Sequence, residues 1–171
     1  MIALSKDMSK NSGYLMSLSS PYNLISDYFI GLSNETGSLI TNLKLQKLVY
    51  YAQAWSLALN NKELFSNDFE AWVHGPVLFD LYNNYRAQKW NPISKAVKLS
   101  DIESQLDAET KALLEDVAQV YFELDAYKLE RLTHLEAPWL EARGSIAENE
   151  PCNNIISKTT MKSYYNGLVA A

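Results

Sequence analysis

The sequence predicts an all-α fold: a single compact multi-helix domain around one central apolar helix, with at most one short extended segment. Three observations predict it. At 171 residues and 47% hydrophobic content, the chain has the length of one domain and the apolar mass for one core. Eleven Tyr, five Phe and four Trp supply bulky core bodies, whereas six Gly and five Pro are few for the many turns of a β architecture. Apolar residues also recur at helical spacing along most of the chain.

Residues 1–19 show no sustained period and read as a loosely ordered N-terminal extension, leaving 20–171 as the helical domain. Ser20 and Pro21 suit a helix start, and Leu24, Ile25, Tyr28, Phe29 and Leu32 form the stripe that follows, ending near Ser33-Asn34 before Gly37. Thr41 or Asn42 caps the most apolar segment, NLKLQKLVYYAQAWSLALN, predicted helical to about Asn60. Leu45, Leu48, Val49, Ala52, Trp55 and Leu59 fall on one side of it, with Leu43, Tyr50, Ala54 and Leu57 near the opposite side. Apolar on two sides, this helix belongs at the centre. Lys44 and Lys47 occupy one remaining strip, Gln46 and Gln53 the other.

Phe69 to Val73 carries the residue types of a short strand. His74-Gly75-Pro76-Val77 punctuates the chain, with Pro76 placed at a helix start and Leu78, Leu81, Tyr82 and Tyr85 as the next stripe, ending near Gln88. Residues 90–101 read as a connector. Asp107 caps a one-sided helix whose face is Leu113, Leu114, Val117, Val120, Tyr121 and Leu124. Asp125 opens a shorter helix, Pro138 marks a break before WLEAR, and 144–154 is a polar loop. A last helix follows a Ser157 or Thr159 cap, with Gly167 expected to end it.

Fifteen basic against twenty acidic residues leave a net charge of -5, which repels a phosphate backbone and argues against nucleic acid as the main ligand. The single Cys152 forms no internal disulfide, which fits a reducing cytoplasm. No segment has the apolar length of a secretory signal or of a membrane span, so the expected location is cytoplasmic, with no membrane partner.

Catalytic spacing is missing. No GxSxG elbow, GxGxxG turn or GxxxxGK[ST] loop occurs, and two histidines without HxxxH or CxxC spacing do not make a metal site. No enzyme activity, cofactor or metal is therefore expected. His74, His134 and Glu136 are the only acid–base set an enzymatic alternative would have. The aromatic residues stand out more: Trp72, Tyr82, Tyr85 and Trp90 crowd the HGPV turn, and Trp139 follows His134 closely. Interfaces favour Trp and Tyr, so Trp72, His74, Tyr82, Tyr85, Trp90, His134 and Trp139 are the candidate partner-binding residues.

These residues belong to blocks that resemble a known family. SPYNLISDYFI at 20–30, LKLQKLVYYAQAWSLAL at 43–59, LF at 64–65, EAWVHGPV at 70–77 and LY at 81–82 are similar, in order, to the Panacea antitoxin domain, also called SocA-like. LERLTHLEAPWLEAR at 129–143 resembles the family's TH-x-E-x-PW block, and NNIISKTTMKSYYNGL at 153–168 its closing helix. Phe79 stands where the family often has proline and Ala137 where it often has glycine.

The resemblance implies an antitoxin that binds and neutralises a cognate protein toxin, commonly encoded beside it and in some members alarmone-synthetase-like. Family members pair with unrelated toxins, and one also delivers its toxin to a protease, so an adaptor role is the alternative mechanism. A DNA-binding regulator of its own operon is the rival from another class, and the acidic charge weighs against it.

Overall fold

The computed structural model describes residues 20–169; the expected extension 1–19 lies outside the described residues. The first helix, α1 (Pro21–Thr36), starts on its proline and ends where Gly37 turns left-handed (φ 75°), giving its N–H to Ser33 O at 3.0 Å. The second, α2 (Asn42–Trp55), is capped by Thr41, whose side chain accepts from Lys44 N. Residues Ser56–Asn60 continue it as a π-helical turn, and the wider winding buries Leu57 and Ala58 while sending Leu59 outward.

The chain then forms a two-stranded antiparallel hairpin, β1 (Glu70–Trp72) and β2 (Gly75–Val77). Five short or medium helices follow: α3 (Phe79–Tyr85), extended by a 3₁₀ turn at Arg86–Gln88, then α4 (Leu99–Glu103), α5 (Ala108–Tyr121), α6 (Ala126–His134) and α7 (Ala137–Arg143). The last is α8 (Lys158–Val169). Asp107 and Asp125 cap α5 and α6 through their carboxylates, and Ser157 Oγ takes Thr160 N at the start of α8. The fold is mainly helical.

As its two apolar sides require, α2 is central: α1, α3, α5, α6, α8 and β2 all pack on it. Leu45, Leu48, Val49, Tyr50, Tyr51, Ala52 and Ala54 have no exposed surface. Burial goes further than periodicity predicts, because both polar strips are enclosed too. Gln53 takes Leu64 N and gives to Phe65 O, each at 2.8 Å, and Lys44 sits over the Phe122 ring. Gln53 thereby stands in for the backbone partners that the segment after α2 cannot find within itself.

Four expectations are corrected. Pro76 does not start a helix; it lies in β2, opposite Ala71. The backbone of Ala71 turns away from β2, its N–H to Asn154 O and its carbonyl to Arg143, so this is a pair without ladder hydrogen bonds and the absent N–H of proline costs nothing. The connector 90–101 contains the beginning of α4, whose Leu99 and Ile102 pack under α1. Gly167 lies inside α8. Val120 and Leu59 are exposed, and with Trp55 and Tyr121 they line a shallow apolar surface hollow. Among the described residues, no helix is long and apolar enough to cross a membrane.

Candidate functional site

The HGPV turn is where local sequence rules and long-range packing meet. Gly75 has φ 91°, a conformation L side chains rarely adopt, and a Cβ there would stand 2.7 Å from Thr133 Oγ1 and 2.8 Å from Lys47 Cε. The glycine thus lets the hairpin close onto Lys47 of α2. That lysine is wholly buried and gives its Nζ to Pro76 O at 2.9 Å. Burial pulls its ammonium down to about 7, opposed only by the nearby Glu130 carboxylate.

Two further α2 side chains extend the clamp. Gln46 takes Leu78 N through Oε1 (2.8 Å) and gives Nε2 to Asn42 Oδ1 (3.2 Å), and Asn42 gives to Tyr82 O (3.1 Å). The start of α3 is thereby registered against α2. From the other side, Trp139 Nε1 gives to Trp72 O (2.9 Å), and Arg143 gives to Ala71 O (2.8 Å) and to Glu150 O (2.6 Å). The hairpin is held by α2, α6 and α7 at once, which fixes the backbone from which its outward side chains project.

Those side chains border a groove of about 370 Å³. Leu43, Trp72, Val77, Tyr82 and Trp90 give it apolar walls, with His74, Glu130, Arg86 and Lys89 around them. Trp72 and Tyr82 meet edge to face at 5.0 Å, and the Trp72 N–H is taken by Glu70 (2.6 Å). Trp90 is 81% exposed. His74 Nδ1 lies 3.1 Å from Glu130 Oε1. Trp72 and His74 also line a second hollow, shared with Phe79, Cys152 and Asn153, so they form the ridge between two concavities.

Four of the seven candidate residues, Trp72, His74, Tyr82 and Trp90, therefore converge on one face. The other three do not join them. Tyr85 is buried, its hydroxyl beside the Lys95–Asp27 pair. His134 and Trp139 are buried and stacked on each other (4.1 Å, 14°), with His134 Nδ1 3.0 Å from Glu148 Oε1. Burial lowers the His134 pKa. These two are the internal buttress of the hairpin.

The acid–base set His74, His134 and Glu136 is dispersed. The two histidines take different glutamates, and Glu136 sits in a tyrosine cluster, accepting from Tyr165 (2.6 Å) and Tyr51 (3.1 Å). Burial raises Glu136 to about 7, against the pull of those two hydroxyls. Tyr51 stacks on Tyr121 (3.9 Å, 9°), whose hydroxyl takes Trp55 Nε1 (3.0 Å). Periodicity missed Lys47, Arg86, Lys89 and Glu130 as site residues; the Gly-Pro pair of the turn was the available signal that a backbone approaches closely there.

The described residues thus form a helical platform with a clamped aromatic hairpin. The family model for the antitoxin SocA-like, Panacea domain matches residues 45–140, more than half of the chain and the stretch that holds most of α2, the hairpin and the His134–Trp139 buttress. The chain belongs to this antitoxin-like family. No curated protein and no solved structure matches it.

Proposed function

We propose that this chain is an antitoxin that neutralises a cognate protein toxin by direct contact, without chemistry of its own, and that the face around the Trp72–His74 ridge makes that contact. The observation that carries the reading is Trp90. A large indole left 81% exposed beside a hairpin fixed by three elements is a costly surface for a protein with no partner. Membership of an antitoxin-like family supports a protein toxin as the kind of partner, and the family resemblance implies that it is encoded beside this gene.

A neutralising contact of ordinary size buries about 800 Å² on each side, roughly 20–30 residues, so the groove would be its centre rather than its whole. Expression of the adjacent open reading frame alone is expected to arrest growth, and co-expression of this chain to restore it. Absence of toxicity, or toxicity that this chain does not relieve, refutes the proposal.

A further inference from the structure

We infer that the groove takes an acidic segment of a protein partner, seating an aromatic or aliphatic side chain against Trp72, Tyr82 and Trp90 and pairing its flanking carboxylates with Arg86 and Lys89. This rests on the binding role proposed above and specifies the chemistry of what is bound.

The polar floor of the groove is spent: both Asn42 and Gln46 are committed to α3 and to each other, and the Glu130 carboxylate is engaged by His74. What stays free is apolar wall and positive charge. At about 370 Å³ the space lies at the small end of ligand clefts, enough for one large side chain and its neighbours.

The charge of the groove points the same way. Nearly every described Lys or Arg has an acid, a carbonyl, an amide oxygen or an aromatic ring against it: Lys62, Lys95, Lys111, Lys128, Lys158 and Arg131 pair with acids, for example. Among the described residues the exceptions are Arg86, Lys89 and Lys98, and two of the three line this groove. In a chain of net charge -5, two unpaired cations beside exposed indole are complementary to carboxylates.

The backbone agrees with this. Asn91 N bonds Gln88 O at 2.9 Å, closing a turn in which Lys89 has φ 53° and ψ -115°. This is the first central position of a type II′ turn, which glycine takes freely and lysine only with strain. The strained residue projects a free ammonium, and the next residue is Trp90. Strain kept where a side chain has no partner among the described residues points to a use outside the fold.

The test pans a random twelve-residue peptide display library on the full chain, then titrates the synthetic consensus peptide by tryptophan fluorescence. Selected peptides are expected to carry an aromatic or aliphatic residue flanked by Asp or Glu. Their affinity is expected to fall about tenfold in Arg86→Ala and in Lys89→Gly. Lys89→Gly is also expected to melt higher than wild type, which separates lost charge from lost fold. Failure to enrich any sequence, a neutral or basic consensus, unchanged binding in both variants, or tighter binding of a ten-nucleotide oligouridylate would each overturn the inference.

Growth rescue scored in parallel separates the two ideas. Rescue by wild type that survives Arg86→Glu with Lys89→Gly sinks the acidic segment and leaves the antitoxin standing. Acidic-peptide binding without wild-type rescue does the reverse.

Discussion

Two aromatic clusters of this molecule use similar residues to opposite ends. In the tyrosine cluster, Tyr51, Tyr121 and Tyr165 turn their rings on one another, and their hydroxyls close on Glu136 and Trp55. Every polar tip there has an internal partner except the Tyr50 hydroxyl. On the hairpin face, Trp72 and Tyr82 pack edge to face, but the series continues into Trp90, which covers little, and into two cations with no acid against them among the described residues. Aromatic content alone therefore does not mark an interface. What separates the regions is whether the polar ends are spent inside the fold.

The hairpin side can be broken most directly at Gly75. Gly75→Ala must bear a positive φ and push its Cβ toward Thr133 and Lys47, so a loss of about 2–4 kcal/mol is expected in urea denaturation. Near-wild-type stability would mean that the hairpin is not clamped on α2, and the contrast with the tyrosine cluster would lose its structural basis.

Each region also hides a titratable group that burial moves to about 7, and the two pull stability in opposite directions with pH. Glu136, raised from 4.5 to about 7 by burial, holds a proton in the folded chain that the unfolded chain has released. Its contribution is full below pH 4.5 and is lost as pH rises to about 7. Lys47, lowered from 10.5 to about 7 by burial, is neutral in the folded chain while the unfolded chain is still charged. Its penalty is full below pH 7 and is relieved as pH rises above it. Relative to Glu136→Gln, wild type should lose stability between pH 4.5 and 7. Relative to Lys47→Met, it should gain between pH 7 and 9. Denaturation midpoints across that range read both slopes, and a flat difference in either window removes that group from the account.

The helix starts were legible because capping is local: Thr41, Asp107, Asp125 and Ser157 each carry the oxygen that a backbone N–H three residues on requires. Pro76 misled because a proline that begins a helix and a proline in an unbonded strand pair look alike in one dimension; the difference lies in Asn154 and Arg143, far along the chain. Lys47 was invisible for the same reason. A helical-period reading assigns a charge to a solvated strip, whereas its acceptor, Pro76 O, is 29 residues away. The candidate site was half legible: HGPV with its aromatics named the face, but Tyr85, His134 and Trp139 are sealed by contacts that only packing decides. Arg86 and Lys89 read as ordinary surface charges in one dimension; what sets them apart is that, Lys98 aside, the other described cations each have a partner.

The smallest expected stability effect is the most discriminating. Trp90→Ala removes the largest exposed side chain of the hairpin face, and because that indole covers little of the core, the change should cost less than about 0.5 kcal/mol. If its exposure exists for a partner, the same substitution should abolish growth rescue while the variant stays folded by circular dichroism. A loss above about 1 kcal/mol would place Trp90 with the tyrosines as a packing residue. Unchanged stability together with unchanged rescue would leave the hairpin face open but unused, and would move the search for the contact to another exposed apolar surface, the hollow between Leu59 and Val120.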